Sequence, residues 1–199
     1  MYQLRGGIQQ TVSQFYRLKK KSISINLKKK HMTKNIIEKL QEQVRREAMA
    51  SAEYTTMASW CEVKGYQYSA DFLYKHAKEE REHMLKLMHY INDRGGYALH
   101  PDIKDIKQDY TSLKEIFEII LKKEQSISYS IHTIVATCLQ EQDYTTFNFM
   151  QWYVNEQREE EVLAKRALEL FEVIGEQGVG LYMIDKAIGK LHKWVESKN

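Results

Sequence analysis

The stretch LYKHAKEEREHMLKLMHYI, residues 73–91, decides the fold. Leu73, Ala77, Met84, Leu87 and Ile91 recur at steps of three, four and seven, so they share one face of an α-helix. One position on that face is wrong for a core. Glu80 falls three residues after Ala77 and four before Met84, in the middle of the apolar stripe. Three residues further on, His83 shares its face. A long helix that aims a carboxylate and an imidazole inward is built around something other than packing.

The same pattern extends in both directions. Upstream, residues 34–63 carry Ile37, Leu40, Val44, Ser51, Tyr54 and Ala58 at helical spacing, and Gly65 ends the run. The quoted helix spans about 67–94 and stops at Gly95-Gly96. Residues 97–111 read as a loop containing His100-Pro101. Ser112-Leu113-Lys114-Glu115 reads as a capping box for a third helix over 113–141, with Leu113, Phe117, Ile120, Ile127, Ile131, Ile134 and Cys138 in register. Asp143 suits the N-cap of a fourth helix over 144–174, with Phe147, Met150, Ala164, Leu168 and Phe171 inward. Glycines 175, 178 and 180 precede a short amphipathic piece over 181–195, carrying Leu181, Ile184, Ile188, Leu191 and Val195.

Connection lengths set the topology. Short turns make the first and second helices antiparallel, and likewise the third and fourth. A bundle helix of about 28 residues is roughly 42 Å long. A loop of about 17 extended residues reaches roughly 55–60 Å. It can run the length of the bundle and start the third helix at the far end. The expected fold is all-α: a four-helix bundle with one long crossover loop and a short fifth helix, the ferritin-like arrangement.

Every long helix carries an inward carboxylate near its middle. Glu47 sits between Val44 and Ser51, and Glu124 between Ile120 and Ile127; Gln157 and Glu160 occupy the stripe between Met150 and Ala164. These residues lie at one depth. Glu47 is 18 residues before Gly65 and Glu80 is 15 after it; Glu124 is 18 before Gln142, with Gln157 and Glu160 at 15 and 18 after it. At about 1.5 Å per residue the offsets differ by under roughly 5 Å. Burying one unpaired carboxylate costs several kcal/mol. These stripes hold no Lys or Arg to neutralise four of them, so a divalent cation is the expected partner. Carboxylates with one imidazole and no thiolate suit iron or manganese better than structural zinc.

Composition narrows the class. The 199 residues include one proline and nine glycines, with 43% hydrophobic and 29% charged residues, as a soluble helical domain requires. The net charge of +3 divides unevenly. Residues 1–31 hold eight basic groups and no acid; the remaining 168 residues hold 22 basic and 27 acidic groups. The acidic body favours cations over nucleic acid. Cys61 and Cys138 are isolated in helical patterns, as small core residues in a reducing compartment such as the cytoplasm. No apolar run is long enough for a membrane span. Residues 1–31 read as a basic extension, either disordered or upstream of a functional start at Met32, before the bundle domain over 32–199. A transit peptide is the other reading of this segment.

The blocks HAKEEREH (76–83) and FNFMQWYVNEQREEE (147–161), with Glu47 and Tyr54, resemble those of bacterial non-haem ferritins across about 34–192. The resemblance implies a two-iron ferroxidase centre. Glu47, Glu80 and His83 would hold one iron; Glu80, Glu124 and Glu160 would hold the other, with Gln157 close by. Tyr54, seven residues after Glu47, would stand beside the centre, and Glu79, Glu156 and Glu159 would form a third, outlying iron site. It also implies Fe(II) with O2 or H2O2 as reactants, a ferric mineral, and a homo-oligomeric shell of 24 subunits. Haem is not expected, because Arg81 stands where bacterioferritins carry their haem-ligating methionine. Two other functions fit a bundle of this kind. One is a non-storing di-iron oxidase or peroxidase, against which the missing second Glu-x-x-His speaks. The other is a metal-free helical interaction module.

Overall fold

A computed structural model describes residues 32–191. Four long helices form the body: α1 (Lys34–Val63), α2 (Gln67–Asp93), α3 (Leu113–Gln140) and α4 (Tyr144–Ile174). A short α5 (Gly180–Ile188) follows. The expected all-α bundle with one crossover is the observed architecture. The readings of residues 1–31 and of Val195 lie outside the described residues.

Local chemistry explains the ends. Thr33 Oγ1 accepts from Ile36 N at 3.3 Å and Asp143 Oδ1 from Thr146 N at 3.1 Å, each satisfying an orphan donor of a first turn. Ser112 Oγ accepts from Glu115 N at 3.1 Å, which is half of the expected capping box. The other half differs. The Glu115 carboxylate reaches one residue further back, to Thr111 N at 2.6 Å, and pairs with Lys107. At Gly65, φ is +85°, so the tight α1–α2 turn uses a conformation that a side chain would strain. Helix α2 has no side-chain cap of its own at Tyr66. Asp185 of α5 supplies one, accepting from Ser69 N at 2.7 Å and Tyr68 N at 3.3 Å. A buried carboxylate on the last helix thus meets the positive end of α2 and docks α5 there.

Side-chain ties show the directions. Ser51 Oγ donates to Ala77 O at 2.6 Å and Tyr74 Oη to Glu62 at 3.1 Å, so α2 descends as α1 rises. Tyr153 Oη donates to His83 O and Tyr90 Oη to Thr146 Oγ1, so α4 runs antiparallel to α2. The crossover lies along α1. Gln41 and Leu99 exchange two hydrogen bonds, and Trp60 Nε1 donates to Asp109 at 3.1 Å. From Gln41 to Trp60 is 19 residues, about 28 Å of helix.

The core is wider than single stripes. Ile36 is buried while Ile37 is only partly so; Tyr153, Leu163 and Ala167 join α4's buried face, to which Phe147 and Leu168 are peripheral. Each bundle helix packs against two neighbours, so its apolar arc exceeds one line of positions. Cys61 and Cys138 are buried as expected, and burial pushes their thiols up to about 12 and about 11. No helix among the described residues is long and apolar enough to cross a membrane.

Asp143 joins two of these features. It caps α4, accepts from Thr146 Oγ1 at 2.7 Å and pairs with Arg94 at the end of α2 at 3.2 Å. Asp143→Ala removes the cap and leaves Arg94 unpaired at a half-buried site. The expected loss is about 2–3 kcal/mol, read as a fall in thermal midpoint of roughly 4–10 °C. Asp143→Asn keeps the cap and should recover much of that loss. Equal midpoints for Asp143→Ala and wild type would remove this tie from the account.

Candidate metal centre

Six of the predicted residues are buried inside the bundle. Glu47, Glu80, Glu124 and Glu160 are 2%, 2%, 1% and 7% exposed, and His83 and Gln157 are each 8% exposed. Ligand atoms of Glu47, Glu80 and His83 all lie within 4.8 Å of one another. His83 Nδ1 is 3.6 Å from Glu80 Oε2, as the three-residue spacing requires. Across the layer, Glu124 receives Tyr54 Oη on one oxygen and Gln157 Nε2 on the other, at 2.5 Å. Tyr54 therefore stands beside the centre and Gln157 holds Glu124 in place.

A second convergent group lies toward the α2–α4 seam. His76, Glu79 and Glu160 bring one ligand atom each within 4.8 Å of the others. His76 Nδ1 is 3.2 Å from Glu160 and 3.7 Å from Glu79. Glu156 and Glu159 line the same seam at about one-third exposure, with Glu156 3.9 Å from His83 Nε2. The outlying grouping thus centres on His76 and Glu160 beside Glu79, with Glu156 and Glu159 at its margin. His76 received no ligand role in the sequence reading. Its signal is its spacing: it precedes Glu79 by three and Glu80 by four, on the same face.

Two more residues escaped that reading. Fully buried Gln43 donates to Glu47 Oε1 at 2.8 Å, one turn earlier on α1, and so orients that carboxylate. Lys123, next to Glu124, is half-buried and pairs with Glu53 of α1. It lies off the stripe but close enough to feel Glu124 and Glu47, and burial pulls its ammonium down to about 8. Lys123, a cation near the centre, is thus already partnered.

The electrostatics call for a guest cation. Burial, then Glu47 and Glu124, push Glu80 well above the usual carboxylate range. Burial, then Glu160, lift Glu124 to about 7, although the Tyr54 and Gln157 donors oppose the rise. Glu80 Oε2 is buried with no hydrogen-bond partner. An orphaned carboxylate oxygen among carboxylates and an imidazole is a donor waiting for a hard metal ion. Edge contacts of Trp152 and Tyr153 at 5.1 and 6.2 Å, with Tyr153 Oη bonded to the His83 carbonyl at 2.8 Å, fix the imidazole ring.

Comparison with known proteins agrees with this geometry. The model of the ferritin-like domain matches residues 37–174. A probable bacterial non-haem ferritin-like protein of Haemophilus influenzae is 39% identical over 160 residues, covering 80% of this chain and 97% of that protein. A bacterial non-haem ferritin of Campylobacter jejuni is 39% identical over 157 residues, covering 79% of this chain and 94% of that one. Among solved structures, an open-pore ferritin from the archaeon Archaeoglobus fulgidus superposes with a TM-score of 0.77 at 29% identity, over 80% of this chain and 97% of that one. A humanized archaeal ferritin gives 0.76 at 31% identity, over 79% and 96%. With its four-helix fold, its buried carboxylate layer and these relatives, the chain belongs to the ferritin family, alongside the bacterial non-haem ferritins.

Proposed function

We propose that this protein oxidises Fe(II) at the carboxylate layer and stores the ferric product. Iron is the substrate. Glu47, Glu80 and His83 hold one Fe(II); Glu80, Glu124 and Glu160 hold the second, so Glu80 is shared. The observation that carries this reading is Glu80 Oε2, buried without a hydrogen-bond partner among four buried carboxylates from four helices. The reaction balances as two Fe(II), one O2 and two protons giving two Fe(III) and H2O2. H2O2 is the alternative oxidant.

The chain's own groups supply binding and proton handling. Glu80 and Glu124 carry protons readily in the empty site and give them up when Fe(II) binds. Gln43, Gln157 and Tyr54 hold carboxylate oxygens in orientation for the ions they would bind. Glu79, Glu156 and Glu159, with His76, form an acidic seam through which a third cation is held or passed on. The storage role rests on the family resemblance: a cytoplasmic homo-oligomeric shell, expected to hold 24 subunits around a ferric mineral, without haem. Exposed Tyr129, Tyr144, Val173 and Val179 leave apolar surface that such an assembly would cover.

Anaerobic Fe(II) titration followed by air tests the reading. Wild type should bind two Fe(II) per chain at this layer and oxidise them rapidly. Glu47→Ala should lose one of the two and slow oxidation at least about tenfold. Equal binding and oxidation by both would remove the assigned site. A dimer on size-exclusion chromatography would remove the shell.

A further inference from the structure

A surface pocket of about 190 Å³ lies between α1 and α3, across the bundle from the α2–α4 seam. Arg45, Arg46 and Met49 line it from α1, within two residues of Glu47. Lys123, Ser126 and Ile127 line it from α3, within three residues of Glu124. At about 1.5 Å of rise per residue, the pocket stands within roughly 5 Å of those two carboxylates along the bundle.

The two sides of the bundle differ in charge. Glu79, Glu156 and Glu159 give the seam partly exposed carboxylates. The pocket has three cations in its lining and, among the described residues, no carboxylate. Acids stand beside it: Glu42 is shared by Arg45 at 2.6 Å and Arg46 at 3.3 Å, and Glu53 pairs with Lys123. Two carboxylates thus answer three cations. Arg46 Nη1 donates to Ser126 Oγ at 3.3 Å, which ties the two helices together across the pocket.

The Lys123–Glu53 pair lies deepest. Its side chains are 17% and 20% exposed, against 48% and 34% for Arg45 and Arg46. Lys123 adjoins Glu124 in sequence, and the charges of Glu124 and Glu47 act on its ammonium. A bare Glu53 would offer an oxygen ligand between the surface and the centre, the means by which a hydrated cation is handed inward. The ammonium occupies that carboxylate. It also repels a doubly charged ion at a depth where water screens little. Met49 and Ile127 supply no side-chain oxygen to replace the ion's hydration shell.

We propose that Lys123, by masking Glu53, closes the α1–α3 side of the centre to Fe(II) and makes the acidic α2–α4 seam the way in. The proposal rests on the ferroxidase reading above and adds a direction to it. Lys123 is a positioning residue here: it touches no iron and acts through Glu53.

The test is steady-state Fe(II) oxidation by the assembled protein, with kcat separated from kcat/KM for Fe(II). Lys123→Ser should raise kcat/KM several-fold, with kcat and the anaerobic Fe(II) stoichiometry held. Glu53→Gln should give no such gain, because the ammonium remains. Lys123→Ser combined with Glu53→Gln should also give none, because no carboxylate is unmasked. Glu156→Gln with Glu159→Gln should lower kcat/KM several-fold, and adding Lys123→Ser should restore much of it through the second entrance. A merely structural ion pair predicts that Lys123→Ser and Glu53→Gln behave alike, and that result overturns the proposal. So does an unchanged kcat/KM in Lys123→Ser, or a seam variant that takes up Fe(II) as fast as wild type. If Lys123→Ser does not assemble, Lys123→Gln keeps most of the stem without the charge under the same readouts. Absence of Fe(II) oxidation in wild type is a separate result, and it would remove the ferroxidase reading itself.

Discussion

Replacing Glu80 by glutamine is expected to slow Fe(II) oxidation about 100-fold or more while leaving the metal-free protein folded and harder to melt. The reasoning separates two roles that a buried residue can have. A structural carboxylate is tied by donors, and neutralising it loosens the fold. Glu80 Oε2 has no donor, and burial together with Glu47 and Glu124 makes its charge unwelcome. Glutamine keeps the shape, removes the charge and offers a poor ligand. Because Glu80 is proposed to serve both irons, anaerobic titration should show loss of both bound Fe(II), against one for Glu47→Ala. Thermal unfolding of the metal-free proteins at about pH 7.5 supplies the second readout, where a like-charge cluster destabilises the fold most. A variant that melts earlier and still oxidises iron would make Glu80 a structural residue and sink the assignment.

The parts that were legible in the sequence are those written in a single helix. Lys34–Val63 and Tyr144–Ile174 agree with the expected bounds because Thr33, Asp143 and the glycines after each helix act locally. The carboxylate layer was legible because a charge on an apolar stripe needs only helical periodicity to be noticed. Glu47, Glu80 and Glu124 could even be levelled by counting from the turns, since antiparallel hairpins make that arithmetic valid. Residues whose role depends on azimuth between helices were not legible. Lys123 lies one position off its stripe, and only the packing of α1 on α3 brings it to Glu53. Asp185 reads as a surface acid of a short amphipathic helix; nothing local says that it will cap α2, more than a hundred residues away. His76 sits on the right face of α2, but its partner Glu160 comes from α4, so their pairing depends on the bundle. Gln43 reads as polar filler until Glu47 is seen to accept its amide proton.

Metal-free wild type should lose stability as pH rises from about 5 to about 8, and Glu124→Gln should abolish much of that loss. The sign follows from the direction of the shift. Glu124 titrates near 4.5 when unfolded and at about 7 in the fold, raised by burial and by Glu160. Between those values the folded state holds a proton that the unfolded state has released. Stability is full below the lower value and is lost as pH climbs through the upper one. The size is on the order of 2–3 kcal/mol for Glu124. Glu80 adds to it in the same direction, and so does His76, whose burial is outweighed by Glu160, Glu79 and Glu124. Carboxylates held low by donors, such as Glu42 and Glu161, act oppositely, but only at more acid pH. Glutamine suits the Glu124 site, because its carbonyl can still accept from Tyr54 and the Gln157 amide can turn to meet it. Thermal scans at the two pH values should show the variant ahead at the higher one and level with wild type at the lower. Saturating Zn(II), a redox-silent probe, should reverse the wild-type trend, since cation binding needs the protons gone. A metal-free wild type that melts equally at both values would mean that the carboxylates are ionised and settled without a guest, and the reason for placing iron among them would go with that result.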